Sequence, residues 1–411
     1  MSLLVLKFGG TSVATPDRIR RAAKRVGREV AAGHDVVVTV SAMAGQTDQL
    51  VGYVREIAPV YDAREYDAVV SSGEQVTAGL MALTLQGMGI PARSWLGWQV
   101  PVRTTSAHGA ARIEGIDGAA MMDRFAAGMR VAVVAGFQGV SAEGRITTLG
   151  RGGSDTTAVA FAAALGAERC DIYTDVDGVY TTDPRITPRA RRLDRIAYEE
   201  MLELASLGAK VLQTRSVELA MRYRVRLRVL SSFSDGDEVG TLVCPEEDIV
   251  ESQVVSGVTY TREEAKMTLR GVADRPGVAA AIFGPLAKAG VNVDMIVQNV
   301  SADGLTDMTF SCPADQAARA ERAMREICET GAVDCRDFDV DPDNCKISVV
   351  GIGMRSHAGV AAQMFEALSR EGINIKVITT SEIKISVLVA RRYLELAVRT
   401  LHEAFGLERG G

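Results

Sequence analysis

The C-terminal part of the sequence contains an internal repeat, which limits the folds available to that region. Residues 274–296 and 356–378 align without a gap, and nine of the aligned positions are identical. Each copy has a strand pattern before it, an amphipathic helix pattern within it, and a glycine ahead of a second strand pattern. A third strand pattern and a second helix pattern follow in both copies. The sequence therefore predicts two small ferredoxin-like α+β units of order βαββαβ, over residues 263–340 and 343–411.

The N-terminal part alternates buried strand patterns with helix patterns. This alternation predicts an α/β domain over residues 1–245, with a mainly parallel sheet sandwiched by helices. In such a sheet, ligand loops lie at the carboxyl ends of the strands. The polar, turn-rich residues 232–262 indicate a domain boundary. Strands are predicted near 3–6, 36–40, 131–135 and 170–176, and helices near 18–31, 46–58 and 65–87.

Composition excludes several classes of protein. The chain has 411 residues, 47% of them hydrophobic, and a net charge of −6, which argues against nucleic acid as a partner. The sequence has neither signal-peptide anatomy nor the run of about 20 apolar residues that a membrane helix needs, so we expect a cytoplasmic protein with no membrane partner. Six cysteines without a Cys-x-x-Cys pair predict free thiols, with neither a zinc site nor a disulfide framework. Four scattered histidines add no metal-ligand spacing.

A glycine-rich turn opens directly into an apolar helix pattern at residues 148–164. Its three glycines permit a tight turn and the close approach of a ligand, and Ser154 or Asp155 is expected to cap the helix. The start of a helix favours anions because its first N–H groups and its dipole both attract negative charge. Arg151 and Asp155 flank this position. The turn is not a Walker A loop, because no Gly-Lys-Ser/Thr follows at the required spacing.

Further charged residues accompany this turn. Lys7 ends the first strand before a glycine pair and is a cation able to reach a phosphate. The segment 173–185 contains three aspartates, two tyrosines and an arginine, which suit a Mg-nucleotide, although an ordinary acidic turn would explain the same residues. Lys210 could supply a second cation. With no competing Ser/His/Asp triad in the sequence, the set predicts phosphoryl transfer, which depends on positioning and charge neutralisation.

Six ordered motifs carry a resemblance to a known family. They read KFGGTSV at 7–13, VSAM at 40–43, SGE at 72–74, TLGRGGSDT at 148–156, YTDVDGVY at 173–180 and LGAKVL at 207–212. Through them the whole chain resembles the aspartate kinases of the amino acid kinase superfamily, and the paired repeats look like that family's two ACT domains. The resemblance implies an amino acid kinase fold followed by two ferredoxin-like ACT domains.

The same resemblance implies transfer of the γ-phosphoryl group of ATP to the side-chain carboxylate of L-aspartate, with Mg²⁺ held largely by the phosphates. The product, 4-phospho-L-aspartate, opens the synthesis of lysine, threonine, methionine and diaminopimelate. The implied catalytic residues are Lys7 and Asp155. The implied aspartate site comprises Ser41, Thr47, Glu74, Arg151, Gly152, Gly153 and Ser154. The implied ATP site comprises Lys7, Phe8, Gly9, Gly10, Ser12, Thr174, Asp175, Tyr180, Asp183, Arg185 and Lys210.

The ACT repeats imply feedback by amino acid effectors, with lysine and threonine the family's usual ones, and a homo-oligomer that pairs through these domains. The first effector loop reads Asp-Arg-Pro-Gly and the second Ser-His-Ala-Gly, so the two sites are not chemically equivalent. Core packing is an alternative for each apolar member of the set, and for the alanines and Ile375 it is at least as strong an explanation. The implied effector residues are Asp274, Gly277, Val278, Ala279, Asn292, Val293, Asp294, Gln298, Val360, Ala361, Asn374, Ile375, Ser381 and Glu382.

Two other functions compete with this interpretation. One is a superfamily kinase that acts on another acid, such as glutamate or carbamate, which the ACT pair and Glu74 disfavour. The other is an inactive amino acid sensor that uses its ACT domains alone, which the intact set of Lys7, Arg151 and Asp155 disfavours.

Overall fold

The computed structural model describes residues 2–206, 211–234, 239–249, 253–300 and 304–409. They form two compact units, the first built from residues within 1–179, 192–205 and 210–250, the second from residues within 180–191, 206–209 and 251–411. The described ranges contain no helix long and apolar enough to cross a lipid bilayer.

The first unit is an α/β fold with one large sheet and one small sheet. The strands are β1 (Leu3–Phe8), β2 (Asp35–Val40), β3 (Ala92–Trp95), β4 (Val102–Thr104), β5 (Ile113–Ile116), β6 (Val131–Ala135), β7 (Gln138–Ser141), β8 (Ile146–Thr148), β9 (Arg169–Thr174), β10 (Arg195–Ala197), β11 (Leu227–Ser231) and β12 (Thr241–Cys244). The large sheet has the order β10-β12-β11-β9-β1-β2-β6-β3, and the small sheet the order β5-β4-β7-β8. In the large sheet every pair except β11–β12 is parallel, which confirms the predicted sheet type.

The central strands are apolar on both faces, as a sheet covered by helices requires. All five residues of β6 are buried, as are five of the six in β1 and in β2. Side chains of α1 and α4 pack on the same core as these strands. The helices are α1 (Pro16–Ala31), α2 (Gln46–Ile57), α3 (Ala63–Val70), α4 (Ser72–Gly87), α5 (Ala119–Ala126), α6 (Gly153–Ala164), α7 (Tyr198–Ser206) and α8 (Thr214–Tyr223).

The single helix expected over residues 65–87 is two helices, α3 and α4, separated at Ser71. The hydroxyl of Ser71 donates to the carbonyl of Ala68, 3.3 Å away, and the hydroxyl of Ser72 donates to that of Val69, 2.7 Å away. Serine hydroxyls that bind local carbonyls compete with the helical hydrogen-bond ladder. Two adjacent serines therefore divide a segment whose apolar periodicity is continuous.

The second unit is a six-stranded antiparallel sheet in the order β14-β15-β13-β16-β18-β17. Its strands are β13 (Gly257–Ala273), β14 (Ile296–Val300), β15 (Leu305–Pro313), β16 (Asp337–Val350), β17 (Ile375–Thr380) and β18 (Lys384–Ala390). Its helices are α9 (Val278–Lys288), α10 (Ala317–Glu329), α11 (Val360–Arg370) and α12 (Leu394–Ala404). Each repeat has its own apolar core, one around Phe310 and one around Leu401, so the two predicted α+β copies are present.

The two copies share their longest strands, which the sequence did not indicate. The second half of β13 pairs with the start of β16 in the first copy, and residues 257–261 pair with residues 346–350 in the second. In the second copy, the strand beside β16 is therefore formed by residues 257–261, which precede the first copy in the sequence. Within the described residues no strand follows α12, so the predicted order βαββαβ is wrong for the last strand of the second copy. Such pairing is long-range, and local periodicity carries no signal for it.

One pair of cysteines departs from the expectation of free thiols. Cys328 and Cys335 form a disulfide across the turn that follows α10. The four other cysteines are free and buried. The expectation of free thiols is therefore wrong for this pair, because the turn brings two residues only seven positions apart into bonding range.

Candidate active site

A cleft of 740 Å³ in the first unit collects most of the residues expected to bind aspartate and the phosphates. It lies at the carboxyl ends of β1 and β2, where a parallel sheet places its ligand loops. Helix α2 and the glycine-rich turn before α6 also line it. The expected residues that line this cleft are Lys7, Gly10, Ser41, Thr47, Glu74, Arg151, Gly152, Gly153, Ser154 and Asp155.

Lys7 and Asp155 form an ion pair in the wall of the cleft. Lys7 stands near the end of β1 and Asp155 in the first turn of α6, and Lys7 Nζ lies 2.5 Å from Asp155 Oδ1. Their side chains are only 10% and 12% exposed, so each charge depends on the other for compensation. A Cβ on Gly9 would lie 3.4 Å from Lys7 Nζ, so glycine keeps this cation open to a ligand.

The glycine-rich turn requires glycine for two separate reasons. Gly150 and Gly152 have φ angles of +76° and +71°, in the left-handed region that disfavours side chains. A Cβ on Gly152 would also lie 1.9 Å from Gln213 Cγ, and one on Gly153 would lie 2.7 Å from the Phe137 ring. The turn can therefore approach α8 and the ring only without side chains at these positions.

Helix α6 begins without a side-chain cap. Its N-cap is Gly152, and no side chain makes a capping hydrogen bond there, so the expectation that Ser154 or Asp155 caps the helix is wrong. Both residues lie inside the first turn, since the left-handed glycine ends the preceding loop one residue earlier. The first N–H groups of a helix have no partner within the helix. Here the N–H of Gly153 donates to the carbonyl of Gly150 at 3.0 Å, and Gly153, Ser154 and Asp155 line the cleft together with Arg151. This arrangement suits an anion.

Glu74 supplies a buried carboxyl group on another wall of the cleft. It lies in the first turn of α4, is 3% exposed, and accepts a hydrogen bond from the N–H of Ala42 at 3.1 Å through Oε1. Its Oε2 is buried and has no hydrogen-bond partner among the described residues. Burial raises the pKa of Glu74 to about 7, against the lowering effect of the Ala42 N–H. A cationic group in the cleft would relieve both conditions.

Several cleft residues were not found from the sequence. Arg55 and Tyr66 line the cleft from α2 and α3. The sequence signal for Arg55 is that Thr47, Val51 and Arg55 recur at a spacing of four; this spacing does not include Tyr66. Phe137 also lines it, with a φ of +69° that is rare outside glycine. Its N–H donates to the Thr157 hydroxyl at 3.1 Å, which holds this conformation. No sequence pattern predicts a positive φ angle at a phenylalanine.

The residues expected to bind ATP are divided between the two units. In the first unit, the Gly9 N–H donates to Tyr173 O at 3.2 Å, the Ser12 hydroxyl donates to the same carbonyl at 3.4 Å, and the ring of Phe8 stacks on that of Tyr173. These contacts join the carboxyl ends of β1 and β9. Thr174 ends β9, and its hydroxyl donates to Asp175 at 3.1 Å.

The other expected ATP residues, Tyr180, Asp183 and Arg185, belong to the second unit. There Asp183 accepts hydrogen bonds from Arg185 Nη2 at 2.9 Å and from the Tyr260 hydroxyl at 2.7 Å. Arg185 first, and Tyr260 with it, lower the pKa of Asp183 to about 2. Lys210 lies outside the described residues.

The expected effector residues lie in both repeats, and eight of the fourteen occupy matching positions. Gly277 and Gly359 are the left-handed N-caps of α9 and α11, so Val278, Ala279, Val360 and Ala361 open these helices. Asn292, Val293 and Asp294 precede β14, and Asp294 pairs with Lys346 of β16. Gln298 lies in β14, Asn374 and Ile375 lie at the start of β17, and Ser381 and Glu382 join β17 to β18. Asp274 follows β13. A cavity of 550 Å³ at the start of α11 includes Val360.

Comparison with known proteins matches these features along the whole chain. Residues 2–231 match the model of the amino acid kinase family, and residues 267–329 and 347–405 each match an ACT domain. The aspartokinase of Pseudomonas aeruginosa is 54% identical over 408 residues, covering 99% of this chain and 98% of that protein. The aspartokinase of Corynebacterium glutamicum is 47% identical over 412 residues, covering 99% and 97%.

Solved structures give the same result. Aspartokinase III of E. coli in complex with aspartate and ADP, in the R-state, is 28% identical with a TM-score of 0.79, covering 98% of this chain and 99% of that one. The same enzyme in complex with lysine and aspartate, in the T-state, has a TM-score of 0.76 at 28% identity with the same coverage.

Proposed function

This chain belongs to the aspartokinases, in which an amino acid kinase domain precedes two ACT domains, and we propose that it transfers the γ-phosphoryl group of ATP to the side-chain carboxylate of L-aspartate. The product is then 4-phospho-L-aspartate, the first intermediate towards lysine, threonine, methionine and diaminopimelate. The complex of the E. coli relative with aspartate and ADP supports both substrates.

The observation that carries the proposal is that complementary charges meet in the 740 Å³ cleft. Aspartate presents two carboxylates and one ammonium group. Arg151 provides a planar guanidinium suited to bidentate binding of the α-carboxylate, and Glu74 provides a buried carboxyl for the ammonium. Ser41 and Thr47 also line the cleft and add hydroxyl groups. The side-chain carboxylate is then left to face the Lys7–Asp155 pair.

The reaction requires charge neutralisation more than acid–base chemistry. An oxygen of the aspartate side chain attacks the γ-phosphorus, the bond from that phosphorus to the β–γ bridging oxygen breaks, and ADP leaves. No proton has to move, because the nucleophile is already a carboxylate. Lys7 neutralises the transferring group, Asp155 holds Lys7 in place, and Gly9, Gly10, Ser12 and the start of α6 seat the phosphates.

The donor set fits a Mg²⁺ ion held mainly by the nucleotide. The described residues contain no cluster of three or more His, Cys, Asp or Glu side chains able to hold a metal. Asp155 is the carboxylate beside the expected phosphates, and Lys7 already engages it. When bound, Mg²⁺ would withdraw charge from the phosphoryl oxygens. Thr174, Asp175, Tyr180, Asp183, Arg185 and Lys210 are proposed to bind the rest of ATP.

We further propose that lysine, threonine or both inhibit the enzyme at the ACT domains, and that the chain forms a homo-oligomer through them. The E. coli complex with lysine supports an amino acid effector. The unlike loops at Gly277 and Gly359 favour two different affinities. Kinase activity titrated with lysine, threonine and their mixture tests this, and a flat response to all three removes the regulatory proposal.

Substrate identity is tested by ADP release with a panel of amino acids. We expect turnover with L-aspartate alone at physiological concentrations. Turnover with glutamate but not with aspartate would contradict the proposed substrate, while an absence of turnover with every acid would favour the inactive sensor.

A further inference from the structure

Asp67 is a fully buried carboxylate that joins two segments beside the cleft. It lies on α3 with no exposed surface. It accepts hydrogen bonds from the N–H of Thr148 at 3.0 Å, from the Thr148 hydroxyl, and from the N–H of Gly109 at 3.1 Å. His108 Nδ1 lies 2.8 Å from the same carboxylate. A buried charge is costly unless its lone pairs are satisfied. Here two N–H groups and one hydroxyl group from two segments donate to it, with His108 Nδ1 beside them.

Both segments lead to the glycine-rich turn. Thr148 is the last residue of β8 and lines the cleft, two residues before Gly150. Gly109 also lines the cleft, and a Cβ on Gly150 would lie 3.3 Å from its carbonyl oxygen. The conformation at Thr148 and the position of Gly109 therefore set where the turn begins.

Arg215 of α8 holds the start of the glycine-rich turn from its other side. Its Nη1 donates to the carbonyl of Leu149 and its Nη2 to that of Ala111, each at 3.0 Å. The turn thus leaves β8 between a buried carboxylate that holds N–H groups and a guanidinium that holds carbonyls. Only the carboxylate contacts residues that line the cleft.

We propose that Asp67 is a positioning residue for the amino acid substrate: by holding Thr148 and Gly109 it orients the turn that presents Arg151 to the aspartate carboxylate. The inference rests on the proposed role of that turn in binding aspartate. Misplacing a clamp by about 1 Å can cost two orders of magnitude in rate, and Asp67 acts on the clamp without touching the substrate.

The test is the effect of Asp67→Asn on the two Michaelis constants. Asparagine keeps the volume, but its NH₂ group faces donors, so it cannot accept all of these hydrogen bonds. We expect KM for aspartate to rise by about tenfold while KM for ATP stays within about twofold. Thr148→Val removes one hydroxyl donor and keeps the backbone bond, so it should give a smaller rise in the same constant and provides a milder variant if Asp67→Asn folds poorly.

Two comparison variants distinguish positioning from stability and from failure of the premise. Asp171→Asn alters a carboxylate equally buried, held by Arg169 and Arg228 away from the cleft; we expect it to lower Tm and leave KM for aspartate unchanged. Arg151→Ala should raise KM for aspartate strongly.

If Arg151→Ala raises that constant and neither Asp67→Asn nor Thr148→Val does, the positioning role is overturned and the proposed site stands. If Asp67→Asn changes Tm alone, as Asp171→Asn is expected to, the role is equally overturned. If Arg151→Ala leaves KM for aspartate unchanged, the proposed aspartate site fails and this inference fails with it.

Discussion

Lys7 Nζ lies 2.5 Å from Asp155 Oδ1, so the end of the first strand is tied to the first turn of α6 by a pair of nearly buried charges. A pair in this setting is poorly screened by solvent. In the proposed reaction an incoming phosphoryl group would compete with Asp155 for the lysine, and the carboxylate would keep the lysine beside the cleft when no substrate is bound.

Replacement of Lys7 by methionine should abolish most turnover. Methionine keeps the length of the side chain and removes its charge, and loss of one preorganised electrostatic contact typically costs about 10²–10³ in kcat. ADP release at saturating substrates measures the effect, with circular dichroism to check the fold. Lys24→Met, on the exposed face of α1, is the control and should keep full activity. Near-normal turnover in Lys7→Met would remove the catalytic role.

The rate at low aspartate concentration should depend on pH through Glu74. Burial raises the pKa of this carboxyl to about 7, so in the free enzyme it loses its charge, and its attraction for the substrate ammonium, as pH falls through 7. We expect kcat/KM for aspartate to fall by up to tenfold per pH unit below that value. Initial rates from pH 5.5 to 8.5 at saturating ATP measure it. Glu74→Gln should show a low kcat/KM that does not fall further below pH 7. If the fall below pH 7 is the same in this variant, a group other than Glu74 causes it.

The same carboxyl should make stability fall with rising pH. Its folded pKa lies above the unfolded value, so the folded state binds more protons between pH 4.5 and about 7, and the free energy of unfolding decreases across that window. The full cost above pH 7 is about 3 kcal/mol. Denaturant titrations of the ligand-free protein should therefore find Glu74→Gln more stable than the parent at pH 8 and similar at pH 4.5. Equal stability at pH 8 would show that Glu74 is not desolvated.

The sequence was informative where function requires a particular residue type in a particular local pattern. Lys7 before a glycine pair, and Arg151 and Asp155 around a glycine turn, follow strands whose apolar runs are unambiguous, and the structure brings all three into one cleft. Asp67 gave no signal, because one aspartate in a helical segment resembles any surface residue. Its role depends on donors 41 and 81 positions away. The strand at residues 257–261 was missed for the same reason, since its partner in β16 is remote in sequence.

Substitution of Gly152 should separate steric from conformational effects. Gly152→Ala places a Cβ 1.9 Å from Gln213 Cγ at a φ of +71°. Gly166 has a φ of +60° with no atom within 4 Å of its Cβ position, so Gly166→Ala incurs only the cost of a left-handed backbone at alanine, about 1–2 kcal/mol. We expect both variants to lose stability and only Gly152→Ala to raise KM for aspartate, about tenfold or more. Steady-state kinetics beside thermal melts decide it, and equal kinetics in the two variants would show that α8 does not constrain the turn.

A hydroxyl group in the second unit should tune the affinity for ATP. Tyr260 of β13 donates to Asp183 at 2.7 Å, and Asp183 in turn accepts from Arg185. Without the hydroxyl, Asp183 keeps Arg185 but loses one of the groups that fix its orientation, so Tyr260→Phe should raise KM for ATP about threefold to tenfold with KM for aspartate unchanged. Tyr393→Phe removes a hydroxyl of the same unit that accepts from Arg392 and should change neither constant. If Tyr260→Phe behaves like Tyr393→Phe, the segment 180–191 does not contribute Asp183 to the nucleotide site.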